Sequence, residues 1–308
     1  MTRAALLPGL LALAACTHQV DESALLYPHR GAALDLAVLG AEFPGHAIRR
    51  EWIQAGDGTR LQALRLERSD AVASVLYFGG NGYTIGNFAS ATAGAWRDLP
   101  VELLLVDHRG YGGSAGQASV QALLEDAGEV YRHARAAAGE RGLPLLVHGH
   151  SLGSFLAGEV AATHRLDGLV LESSVTTVED WARHFHSLQP WWVRLVVRRV
   201  EPAPTLAGRG NSALMAHLDE PVLFVVGDRD ALTPARLTRQ LHVQARLPAG
   251  CKRLVVAPGR GHDDATRSEE FREGARWLLS VALDRDGQEP DPGPRLQCGA
   301  HASPPRAD

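Results

Sequence analysis

The sequence predicts an α/β fold: a mostly parallel central sheet flanked by helices, with a small cap-like insertion at residues 175–218. Three observations point there. Short, almost wholly apolar runs recur at Ser74–Phe78, Leu103–Val106, Leu145–His148, Leu169–Leu171, Val222–Val226 and Leu254–Val256, as in strands buried on both faces. Helix-like segments alternate with them, which implies right-handed crossovers between parallel strands. The chain has 308 residues, 45% of them hydrophobic, enough for one large core.

The elements follow in chain order. Arg3 precedes an apolar stretch, Ala4–Ala15, broken only by Pro8-Gly9. It falls short of the roughly 20 apolar residues of a spanning helix and has the proportions of a secretory signal. Its end, Leu13-Ala14-Ala15-Cys16, resembles a bacterial lipoprotein lipobox. The resemblance implies cleavage before Cys16, a lipid on its sulfur, and, with Thr17 rather than an Asp next, an outer-membrane destination facing the periplasm. Residues 17–47 read as a linker and approach segment, before a domain at 48–283. Ile48–Leu66 carries a hairpin signal around Asp57-Gly58. Helices are expected at Ser119–Ala138, Ser151–His164 and Arg267–Leu283. The insertion holds Trp181, Trp191, Trp192 and the apolar-basic run Val193–Val200. Its plainest reading is cap core, its functional one an acyl pocket or a membrane-facing surface. Residues 284–308 are Pro-, Gly- and Asp-rich, and disorder is expected there.

Composition excludes some classes. A formal net charge of −4 and a pI near 6.4 give no reason to expect nucleic acid as a partner. No Cys/His spacing suggests a metal site. With Cys16 set aside, Cys251 and Cys298 remain, and whether they pair is left open.

The chemistry centres on Leu146-Val147-His148-Gly149-His150-Ser151-Leu152-Gly153. A buried strand, a G-x-S-x-G turn and an immediate helix expose a serine hydroxyl and aim helix N–H groups at developing negative charge. Glycines at 149 and 153 relieve crowding. The serine needs a base, and His262 lies in Gly259-Arg260-Gly261-His262 after the last apolar run. Asp230, in Gly227-Asp228-Arg229-Asp230-Ala231-Leu232-Thr233-Pro234, is the orienting acid. Asp228 is its rival, and Asp263 and Asp264 sit too close to His262 along the chain. His148 and His150 read as packing or supporting groups.

These motifs, with Asp107-His108-Arg109-Gly110-Tyr111-Gly112-Gly113-Ser114, resemble the α/β-hydrolase superfamily, in the branch of Bem46-like and serine-aminopeptidase-like hydrolases. The resemblance covers roughly residues 48–283. It implies the α/β-hydrolase fold, no cofactor, and ester, thioester or peptidase-like chemistry on a small-molecule or lipid-like acyl substrate. The oxyanion donors are then the N–H groups of Leu152 and Asn81, in Phe78-Gly79-Gly80-Asn81. The family commonly has His where Gly79 stands. Asp107 and Arg109 are expected to organise a loop. Ester or thioester hydrolysis through Ser151, His262 and Asp230 is the first expectation. Aminopeptidase-like or acyltransferase activity, and a non-catalytic envelope binding module, are the rivals. An epoxide hydrolase or dehalogenase is disfavoured, since those relatives carry Asp where Ser151 stands.

Overall fold

The computed structural model describes residues 16–286 and Cys298; residues 1–15, where a signal segment was expected, and the rest of the tail lie outside the described residues. The chain opens with β1 (Cys16–Val20), a turn of helix α1 (Glu22–Leu25) and α2 (Leu36–Glu42). The hairpin of β2 (Ala47–Gln54) and β3 (Arg60–Glu67) follows. Its turn uses Gly58 at φ 84°, a left-handed conformation that glycine adopts without cost. Then come β4 (Ala73–Phe78), α3 (Ile85–Trp96), β5 (Val101–Val106), α4 (Val120–Glu140), β6 (Leu145–His150), α5 (Leu152–Thr163) and β7 (Gly168–Glu172). The insertion contributes α6 (Val178–Ser187), α7 (Trp191–Val196) and β8 (Val197–Pro202). The chain returns through β9 (Val222–Gly227), α8 (Ala235–Gln244), β10 (Lys252–Ala257) and α9 (Glu269–Asp286).

Eight strands form one sheet in the order β10-β9-β7-β6-β4-β5-β3-β2. Only the β2–β3 and β3–β5 pairs are antiparallel. The strands the sequence predicted are all present, and β4, β5, β6, β7 and β9 are buried along their whole length. That double-sided burial explains their unbroken apolarity. On one face α4 and α5 lay down Leu123, Ala127, Val130, Leu156 and Val160. On the other, α3 and α9 contribute Ala89, Trp96, Phe271 and Leu278. Each fully buried Leu or Phe contributes roughly 1.5–3 kcal/mol.

Strand order reverses at β4, which lies between β5 and β6. At such a switch point the loops after neighbouring strands part and leave a crevice at their carboxyl ends. Here those are the loop after β4 and the turn after β6.

The segment 17–47 is woven into this frame. β1 pairs in parallel with β8, with Cys16 opposite Val197 and Thr17 opposite Arg199. Leu26 is buried in the core. Cys298 is bonded to Cys251, which answers the question the spacing left open and ties that tail residue to the start of β10.

Candidate active site

β6 delivers Ser151 into a left-handed conformation, φ 52° and ψ −115°, immediately before α5. Such strain costs roughly 1–3 kcal/mol and persists only where the surroundings enforce it. They do so through contact: a Cβ on Gly149 would lie 2.2 Å from the Gly153 carbonyl oxygen, and one on Gly153 would lie 2.0 Å from that of Phe78. The elbow is thus pressed against the end of β4. The Ser151 N–H donates to the Glu172 carbonyl at 2.9 Å.

Asp230 and His262 arrive on the loops after β9 and β10. The Nδ1 of His262 lies 2.9 Å from Asp230 Oδ2. The other oxygen of Asp230 accepts from the N–H groups of Leu232 and Thr233 at 2.9 and 2.8 Å, and the Thr233 hydroxyl donates to Oδ2 at 2.7 Å. This accounts for the Thr of the Asp230-to-Pro234 motif: it locks the carboxylate in place. Asp228 is exposed, whereas Asp230 is buried. Asp264 accepts from the Gly261 N–H at 2.6 Å and folds the histidine loop. Burial disfavours a charged His262, but the hydrogen bond and charge of Asp230 outweigh it and hold the imidazole pKa above 6.5. Burial likewise works against the Asp230 carboxylate, and His262 overcomes it, so its pKa lies below 3.8. Ser151 and His262 line the same cleft. Among the described residues, however, no hydrogen bond joins the Ser151 hydroxyl to the ring. Such bonds are often long until substrate is bound.

The loop after β4 lies against the elbow: a Cβ on Gly80 would come within 3.3 Å of Ser151 Cβ. Gly79 replaces the family's His for a local reason, since a Cβ there would fall 2.1 Å from the Tyr83 ring. The anchoring comes instead from the Asp107–Ser114 motif. The buried ring of His108 donates to the Gly79 carbonyl at 2.8 Å. Asp107 accepts from the Ile85 N–H at 2.7 Å, fixing the start of α3, and from Gly113 N and Gln62 Nε2 at 2.9 Å. Arg109 is clamped by Asp126 and Asp57. Tyr111 donates to Asn81 Oδ1 at 2.8 Å; burial pushes its phenol pKa up to about 12, so the donor proton is kept. Asn81 Oδ1 also accepts from Tyr27 N at 2.9 Å, and its Nδ2 donates to the Leu25 carbonyl at 2.5 Å. The motif pointed to Asp107 and Arg109 as the organisers of this loop, but His108 and Tyr111 occupy its unspecified positions and carried no signal. Residues 25–27 carried none either, because only the fold brings them there.

His150 donates from Nε2 to the main-chain carbonyl of His262 at 2.9 Å, holding the histidine loop from the elbow side. His148 is buried against Glu172 at 3.0 Å. Ring nitrogens of His150 and His262 and a carboxylate oxygen of Asp263 lie within 4.8 Å of one another. The His262 ring is already engaged by Asp230, and Asp263 is largely exposed.

Above the elbow opens a cleft of about 690 Å³, walled by Val20 and Leu25 from the amino-terminal segment and Trp181, Phe185 and Val193 from the cap. A cavity of about 150 Å³, lined by Leu26, Phe155, Val175 and Leu206, continues from it beside Ser151.

The family described as serine aminopeptidase, S33, matches residues 69–216. An uncharacterized protein of Mycobacterium tuberculosis is 33% identical over 171 residues, covering 55% of this chain and 56% of its own. The chain thus spans little more than half the length of that relative. The lysophosphatidylserine lipase ABHD12 of Rattus norvegicus is 27% identical over 212 residues, 64% of this chain and 51% of its own. Among solved structures, the Pyrococcus furiosus esterase Pf2001 superimposes with a TM-score of 0.65 at 14% identity, covering 85% of this chain and 97% of its own, a likeness of fold. With the sheet order, the elbow and its neighbouring loops as described, the chain has the α/β-hydrolase fold.

Proposed function

We propose that the protein is a serine hydrolase that cleaves an ester or thioester of a lipid-like acyl group, anchored by a lipid on Cys16 at the periplasmic face of a bacterial outer membrane. The observation that carries the reading is Ser151, held in its strained elbow, sharing an apolar cleft with a histidine bonded to a buried aspartate. His262 takes the Ser151 proton as the oxygen attacks the acyl carbonyl, and Asp230 stabilises the imidazolium. The N–H groups of Leu152 and Asn81 hold the oxyanion, which supplies a few kcal/mol. His262 then protonates the departing alcohol or thiol, and water cleaves the acyl-enzyme by the same route. The apolar walls suit an acyl chain, in keeping with the lipase and esterase names of a relative and a structural neighbour.

A peptidase reading has one observation in its favour. Glu172 and Asp263 line a cavity of about 240 Å³ that shares Gly80, Asn81 and His150 with the cleft, and carboxylates there suit an amine. Glu172, however, is engaged by His148.

Fluorophosphonate labelling of wild type and Ser151→Ala, with turnover of p-nitrophenyl esters of increasing length and of aminoacyl p-nitroanilides, tests the choice. Labelling lost in the variant and ester turnover support the proposal. Anilide turnover alone favours the peptidase, and a folded protein that neither labels nor turns over is a binding module.

A further inference from the structure

The outer face of α7 is built the wrong way round for water. Trp191, Trp192, Leu195 and Val196 are 68%, 59%, 59% and 60% exposed, while Val193 lines the cleft. Phe185 and Leu188, just before it, are 46% and 53% exposed. A helix on a water-soluble surface turns its polar side outward, and a contiguous apolar patch marks an interaction surface. Arg194 on this helix, and Arg198 and Arg199 just after it, are exposed as well. Cys16 lies opposite Val197, the residue directly after α7. Residues 1–15, or a lipid on Cys16, therefore start from the rim of the same face.

We propose that this face of the cap docks on an anionic lipid bilayer, with Trp191 and Trp192 at the headgroup level, the arginines on lipid phosphates, and the cleft open to the bilayer. Tryptophan favours that depth because its ring is apolar and its N–H polar. Clustered basic residues are drawn to anionic headgroups. An anchor at Cys16 fixes distance from the membrane but not orientation; α7 supplies the orientation. Combined with the acyl-hydrolase reading, on which this part rests, the substrate class becomes an acyl lipid resident in the bilayer, entering past Phe185 and Val193, which line the cleft.

The test places the full chain on phosphatidylcholine vesicles containing phosphatidylglycerol with brominated acyl chains and follows tryptophan fluorescence. Docking gives quenching that Trp191→Phe/Trp192→Phe largely removes, although the variant stays on the vesicle. That variant also loses hydrolysis of a vesicle-borne ester and keeps hydrolysis of p-nitrophenyl acetate in water. Equal quenching in wild type and variant overturns the proposal. So does emission from Trp191 and Trp192 that is already shielded without lipid, as a second copy or residues 4–15 lying on the patch would give. Quenching without hydrolysis of either ester upholds the docking and removes the acyl-hydrolase reading.

Discussion

Replacing Asn81 by alanine leaves the proposed oxyanion N–H in place and removes only what holds it. The side-chain amide makes three hydrogen bonds: from Tyr27 N at 2.9 Å, from Tyr111 Oη at 2.8 Å and to Leu25 O at 2.5 Å. Each neutral bond contributes about 1 kcal/mol net, and the exposure of Asn81 places these at the lower end, for a total of about 2 kcal/mol. Complete loss of an oxyanion donor costs on the order of 10²–10³ in kcat. A donor retained but loosened should cost less, so kcat for a short, water-soluble ester is expected to fall about tenfold, or about 1.4 kcal/mol. KM should change little, because the oxyanion contact forms mainly in the transition state. Tyr111→Phe should act in the same direction more weakly, since the main-chain N–H of Tyr27 keeps its bond to Asn81. The two residues touch, so the double variant should fall short of the sum by about 0.5 kcal/mol or more. Steady-state kinetics and denaturant unfolding on the four proteins decide it. If Asn81→Ala loses stability while kcat stays within about twofold of wild type, the side chain is a fastening for residues 25–27 only, and it does not position the oxyanion donor.

Two further expectations concern the base and the tail. His262 must be neutral to accept a proton, and its pKa is held above 6.5, so the rate of fluorophosphonate labelling should rise with pH through a midpoint above 6.5. Asp230→Asn, besides lowering kcat by about 10³–10⁴, should shift that midpoint down, because burial then acts with less opposition; an unmoved midpoint would detach the aspartate from the titration. The linked stability has the matching sign: a raised folded-state pKa contributes stability fully present below 6.5 and lost as pH rises through the folded value. Cys298→Ser opens a bridge spanning 47 residues, worth about 4 kcal/mol by chain entropy. Its denaturant midpoint should coincide with that of reduced wild type, and equality with oxidised wild type would show that the bridge does not form in solution.

Local signals made much of this molecule legible. The buried strands announced themselves because burial on both faces leaves no room for polar residues. The G-x-S-x-G turn was readable because its two glycines answer to contacts a few residues or one strand away. Other elements gave no such signal. α3 buries Ile85, Ala89, Ala93 and Trp96, but the gaps hold Gly86, Asn87, Ser90, Thr92 and Gly94, weak helix formers that blur the period. α8 buries only Leu237, Thr238 and Leu241, too narrow a stripe to stand out between strands.

The harder case is the amino-terminal segment. Nothing in residues 16–30 distinguishes a linker from structure, because its partners lie far along the chain: Val197–Pro202 for β1, and Asn81 and Tyr111 for Tyr27. A sequence shows which side chains are apolar but not which distant edge will take up a strand's main-chain hydrogen bonds, and those carry no residue signature. The same holds for the cap. Trp191 and Trp192 count as core by composition, yet they are exposed because α7 is short and spends Val193 on the cleft. Only three-dimensional placement separates an aromatic pair that fills a core from one that faces outward near Cys16.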